Sequence, residues 1–186
     1  MIRFAILALC AVTLSACSER NVSPAGNIVT IFGDIRTVDR GPSQGTLEPL
    51  FFAYGIEFDA ACVLTFASLD LMDQSIVRVS FPQGGGERRF SGPLLRDVLS
   101  VADIQGQQLT FTALDGYQRT IDANRIADHD VILAIRVDGE ILGLGGYGPA
   151  MVVWPRETDP ALADKDDADW VWGVFAIESF TDDGDS

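Results

Sequence analysis

Phe90-Ser91-Gly92-Pro93-Leu94-Leu95-Arg96-Asp97-Val98-Leu99 changes character in its middle. Up to Phe90 the residues 87–90 read as a short strand. Beyond Gly92, Leu94, Leu95, Val98 and Leu99 fall at i, i+1, i+4 and i+5, which is one apolar stripe of a helix. Pro93 suits a first helical position, where its fixed φ fits and its missing N–H is not needed. This is the clearest helix in the chain, and strands surround it. Residues 75–81 alternate apolar and polar, and Pro82-Gln83-Gly84-Gly85-Gly86 breaks them. Residues 108–112 alternate again, and 117–121 read as the next strand. Asp122 suits an N-cap for a short helix through Ile126.

Further out the pattern holds. Residues 131–137 form a nearly continuous apolar strand, and Asp138-Gly139 is a hairpin signal into Ile141-Leu142. Gly143, Gly145, Gly146 and Gly148 mark a turn region. Residues 151–154 read as a strand stopped by Pro155, residues 157–169 as an acidic loop, and residues 170–177 as the last strand. Toward the N-terminus, 27–32 is a β-branched strand, 41–45 a loop, 50–58 an extended aromatic segment, and 68–72 a single helical turn. Many short strands with a few short helices make the fold class α+β, mixed and mostly β.

The ends read differently. Arg3 and the apolar run 4–14 form a secretory signal, too short to cross roughly 30 Å of hydrocarbon. Its end, Leu14-Ser15-Ala16-Cys17, resembles a bacterial lipobox, which implies cleavage before Cys17 and lipidation of that cysteine. Ser18 in place of Asp after the cysteine favours the outer membrane over the inner one. The expected organisation is a signal peptide at 1–17, a polar tether at 18–26, one domain at 27–180 and an acidic tail at 181–186. Within the domain Cys62 stands alone in an apolar setting, so it reads as a buried thiol with no disulfide partner.

Composition narrows the function classes. Of 186 residues 47% are hydrophobic, enough for a core. The formal charge of −14, from 13 basic and 27 acidic side chains, lacks the basic footprint of a nucleic-acid binder. His129 is the only histidine, so a Ser-His-Asp triad or a zinc site would have to use it. In Asp128-His129-Asp130 it reads as an exposed loop residue. The acidic residues 164–169 lack the spacing of a calcium loop.

Four pieces, in order, resemble the sulfite-oxidase-type molybdopterin-binding domain. They are Phe90-Ser-Gly92-Pro-Leu94-Leu-Arg-Asp-Val-Leu99, then Ala113-Leu-Asp115-Gly-Tyr117, then Leu133-Ala134 with Asp138-Gly139-Glu-Ile-Leu142, and Gly148-Pro149-Ala-Met-Val-Val-Trp-Pro155. Trp170-Val-Trp172 then opens the closing strand. The resemblance implies a sulfite-oxidase-like fold and a pterin or molybdopterin-like ligand. Family enzymes hold molybdenum through a cysteine about ten residues before the Phe-x-Gly motif. That count reaches Ser80, and a serine hydroxyl is a poor ligand beside a thiolate. Short periplasmic members without this cysteine are pterin-binding regulators partnered with inner-membrane cyclic-dinucleotide enzymes, and the chain is similar to them.

The candidate ligand-binding residues are Tyr117, Asp115, Arg78, Ser80, Gly148 and Trp154. Tyr117 is similar to a tyrosine lining the family's active site and could stack on a heteroaromatic ring; the plainer reading is a half-buried strand tyrosine. Asp115 could accept paired hydrogen bonds from a 2-amino-pyrimidinone edge, or simply hold a turn. Arg78 could neutralise an anionic group, or lie on a solvent face. Ser80 could donate to a ligand. Gly148, with Gly145 and Gly146, could let backbone approach a ligand. Trp154, Trp170 and Trp172 could wall a pocket or fill a core. Three functions follow: a non-catalytic periplasmic lipoprotein that binds a pterin and signals to a membrane partner, a molybdopterin-dependent oxidoreductase, or a structural lipoprotein without ligand. Residues 1–20 hold no Arg-Arg pair, the mark of export with a preloaded cofactor, which favours the first over the second.

Overall fold

The β-branched run after Gly26 forms β1 (Asn27–Gly33), the second strand of a five-stranded sheet. In the computed structural model, which describes residues 26–80, 86–163 and 167–182, this sheet also holds β2 (Ala61–Thr65), β5 (Gln108–Ala113), β6 (Gln118–Asp122) and β11 (Val174–Phe180). The order is β2-β1-β11-β5-β6, with β1 parallel to β11 and the other pairs antiparallel. A four-stranded sheet is built from β3 (Gln74–Ser80), β4 (Glu87–Pro93), β8 (Arg136–Val137) and β9 (Glu140–Ile141), and β7 (Ile132–Ala134) pairs with β10 (Met151–Val153). Four short helices decorate the sheets: α1 (Pro49–Ala53), α2 (Phe66–Asp70), α3 (Leu95–Val101) and α4 (Ala123–Ala127). The architecture is mostly β with a few short helices.

The sequence reading holds for β1, β3, β5, β10 and for the stripe of α3, whose Leu95, Val98 and Leu99 are buried. Asp122 caps α4, accepting from the N–H groups of Asn124 and Arg125. Asp138 and Gly139 both take positive φ, 52° and 92°, as a two-residue hairpin turn requires.

Several expectations are corrected. Pro93 is not the first helical residue; it ends β4, opposite Gln74, and α3 begins at Leu95. Residues 50–58 are not extended, because Pro49 starts α1 and the chain then turns at Tyr54-Gly55. Residues 61–65, read only as an apolar setting for Cys62, are strand β2. The helical turn expected at 68–72 starts earlier, since Thr65 and Ser68 form a reciprocal capping box. The apolar run 131–137 is two strands. At Ile135 it leaves β10 and crosses to β4, donating its N–H to the Ser91 carbonyl at 3.0 Å. Residues 131–135 are all apolar because they are buried on both sides of that crossing, while Arg136 and Val137 beyond it are half-buried. The last strand starts at Val174, so Trp170 and Trp172 precede it.

The main core lies between the sheets, around Phe90, Phe111, Leu95, Leu133 and Met151. A smaller cluster of Phe32, Phe51, Phe58 and Phe175 lies apart from it, beneath α1. No helix among the described residues is long and apolar enough to cross a membrane. The expected signal peptide with Cys17, nearly all of the tether, the break at 82–85, residues 164–166 of the acidic loop and residues 183–186 of the tail lie outside the described residues.

Candidate functional site

A cavity of about 490 Å³ opens between β1, α1 and the turn after β5. Its walls are largely apolar, with Ile28, Leu50, Phe51, Leu114, Pro149 and Phe175. Strand alternation turns Thr30 toward it, while Val29 and Ile31 enter the main core. An irregularity in β11 between Val174 and Ala176 lets Phe175 join the smaller cluster. The polar groups are few: Asn27, Thr30 and the ion pair of Arg40 with Glu48. The Arg40 guanidinium stands 5.3 Å from the Phe51 ring centre and 5.0 Å from that of Phe58, so it is held over aromatic faces. Asn27 Oδ1 is buried, and among the described residues it has no hydrogen-bond partner. Volume, apolar walls and a small polar set are the features of a small-molecule site.

Two sequence motifs converge on this cavity through their neighbours. Asp115 holds a turn: its Oδ1 accepts the Tyr117 N–H at 3.0 Å, and Gly116 takes φ 86°. The turn places Leu114 in the wall, where its carbonyl accepts the Tyr54 hydroxyl at 2.7 Å. Gly148 runs so close to the preceding loop that a Cβ there would stand 2.2 Å from the Leu142 carbonyl oxygen. That approach carries Pro149 into the same wall.

Of the other candidates, Ser80, Tyr117 and Trp154 gather elsewhere, along the connection between β10 and β11. The Ser80 N–H donates to Glu157 Oε1 at 2.6 Å, and its carbonyl accepts from Arg156 at 3.4 Å. Arg156 also pairs with Asp167 at 2.6 Å and lies over the Trp170 ring. The Tyr117 hydroxyl, on a side chain 44% exposed, donates to the Ala168 carbonyl at 2.8 Å. Trp154 is buried, gives its indole N–H to the Asp169 carbonyl at 3.0 Å, and carries the Arg125 guanidinium 4.5 Å above its ring. The buried Asp169 carboxylate binds Arg119 at 2.6 Å and Arg125 at 2.5 Å. His129 is not the exposed loop residue expected but half-buried; its Nδ1 lies 2.5 Å from Asp159 Oδ2 and its ring meets Trp154 edge-on. That hydrogen bond, with one from the Ala161 N–H, holds the Asp159 carboxyl below the usual range. Arg78 lies on an exposed strand face directly opposite Arg89.

Asn27, Arg40 and Glu48 were absent from the sequence reading. Pro49 was the available signal, because a proline followed by Leu-Phe-Phe suits the first turn of a helix. Reading α1 from it would have brought Glu48 to attention as its N-cap.

A molybdenum centre of the family type needs a thiolate, and the described residues do not supply one. Cys62 is free and buried in the main core, in register with Ile31 rather than in the cavity wall. Burial, with the Asp39 carboxylate adding to it, pushes the thiol up to about 11, so it stays protonated. Among the described residues no three His, Cys, Asp or Glu side chains cluster as metal ligands. The donor set does not fit the metal.

Comparison with known proteins gives one family and one fold. The model of the oxidoreductase molybdopterin binding domain matches residues 59–157, a span that holds all four motifs. No curated protein matches the sequence. Among solved structures, the sulfane dehydrogenase SoxCD from Paracoccus pantotrophus is similar, with a TM-score of 0.56 at 17% identity. The similarity covers 82% of this chain and 37% of that one, and it shows the sulfite-oxidase-like fold.

Proposed function

Because the chain belongs to the oxidoreductase molybdopterin-binding domain family, we propose that it binds a pterin-type heterocycle in the β1–α1 cavity without molybdenum turnover. The observation that carries this reading is the convergence of the Asp115 and Gly148 motifs on the walls of one apolar cavity. Phe51 and Phe175 offer flat apolar faces to a bicyclic ring. Asn27 offers a carboxamide whose oxygen has no partner among the described residues, and Glu48 and Arg40 offer an acceptor and a donor for the edge of an aminopyrimidinone. Asp115 acts through its turn, by fixing Leu114. The protonated Cys62, which does not line the cavity, supports binding over oxidation.

In the same proposal the chain is a lipoprotein of the bacterial periplasm. Cys17 carries the lipid, and a membrane-bound signalling protein reads the ligand state. The oxidoreductase reading draws on the family match itself, and one preparation separates the two. Residues 18–186, exported to the periplasm and purified natively, are denatured and assayed for pterin fluorescence and for molybdenum. Pterin without stoichiometric molybdenum, and its loss in Asn27→Ala, is the expected result. Stoichiometric molybdenum would establish the oxidoreductase, and absence of both even after titration with free pterins would leave a structural lipoprotein.

A further inference from the structure

The ridge formed by α1 and the 3₁₀ turn Gly45–Leu47 leaves large apolar side chains in water. Leu47 is 78% exposed, Leu50 42% and Phe52 62%. Leu144, 77% exposed, lines the same cavity as Leu50. Large exposed apolar side chains concentrated on one short segment mark an interaction surface. Phe52 lies on the other flank of α1, in a second recess that it shares with Glu57 and Asp59. Both carboxylates are exposed, and among the described residues neither has an ion-pair partner.

We propose that this ridge docks a protein partner that presents apolar side chains beside Lys or Arg. The apolar part covers Leu47, Leu50, Phe52 and Leu144; the cations answer Glu57 and Asp59. Charge selects this occupant over two others. A second copy of the chain brings another formal −14, and an anionic lipid surface also carries the wrong sign. The position of the ridge couples docking to the ligand, since Leu50 belongs to both surfaces. This coupling rests on the pterin reading; the docking surface does not.

The test uses residues 18–186 with labelled leucine methyl groups, titrated with an amphipathic Leu–Lys peptide and with its Leu–Glu counterpart. The expected result is saturable shifts of the Leu47, Leu50 and Leu144 methyls with the Leu–Lys peptide alone. Leu47→Ser and Phe52→Ser should each weaken binding roughly tenfold, as loss of a central apolar anchor does. Neither residue lines the pterin cavity, so pterin affinity measured on the same variants stays unchanged. Glu57→Gln with Asp59→Asn should weaken the peptide and raise its dependence on apolar contact. Shifts spread over the acidic surface without the leucine methyls, equal binding of the Leu–Glu peptide, sedimentation as a dimer through this ridge, or binding to anionic vesicles would each overturn the proposal. Peptide binding without pterin binding would overturn the ligand reading alone.

Discussion

Gly92 shows what a single residue contributes. A Cβ there would stand 2.0 Å from the Leu133 carbonyl oxygen and 2.8 Å from the Ala134 Cα. Both are backbone atoms of the crossing strand, so neither can swing aside. Gly92→Ala should therefore cost about 3 kcal/mol, as overpacking of a tight core does, measured as a lower urea midpoint at unchanged slope. Cys62 sets a pH dependence of known sign. Its thiol is harder to ionise folded than unfolded, with a folded value of about 11. Its contribution is fully present below the unfolded value of about 8.5 and is lost as pH rises toward the folded one. Wild type should thus lose stability across that window relative to Cys62→Ala. Parallel curves would mean that the thiol is not sequestered.

Side chains fix the described part of the connection from β10 to β11, and Asp169 is its anchor. Two guanidiniums share its buried carboxylate while its carbonyl holds Trp154. Asp169→Asn removes the negative charge that Arg119 and Arg125 share. They are partly exposed, so the expected cost is about 2 kcal/mol, below that of a fully buried pair. The readouts are a change in Trp154 and Trp170 fluorescence and faster hydrogen exchange along residues 167–172. Elements of this kind were hard to read from sequence. Periodicity found β3 and α3, because each keeps one face buried and one wet, and β5, where Gln108, Thr110 and Thr112 alternate with the buried Leu109, Phe111 and Ala113. It found strand at 131–137 but not the break at Ile135, because residues 131–135 are all buried, and it missed α1 within 50–58, where Leu50 and Phe52 stay in water and the helix is too short to show a period. At Pro93 the helix-start signal was correct in kind and displaced by its pairing with Gln74. The candidate site was legible only in part. Asp115 and Gly148 were visible as turn residues, but the walls come from their neighbours and from α1.

At the scale of the whole molecule the field matters more than any one contact. The formal charge is −14, and the cavity walls are mostly apolar. A neutral pterin enters that cavity without electrostatic cost, whereas a phosphorylated molybdopterin-type ligand approaches against the field. Binding to the folded state alone should raise stability by about 2.7 kcal/mol at a hundredfold excess over the dissociation constant. For a domain of this size that is a rise in melting temperature of roughly 5–10 °C. The salt dependence then separates the ligand classes. Added salt shortens the Debye length to about 8 Å near physiological ionic strength and mutes the repulsion. The shift produced by a neutral pterin should stay constant with salt, and the shift produced by a phosphorylated relative should grow. An anionic ligand that binds more tightly at low salt would require a local cationic patch stronger than Arg40, which is already engaged by Glu48. That result would move the binding site from the β1–α1 cavity toward Arg78 and Arg89, the opposed arginines on the exposed face of the smaller sheet.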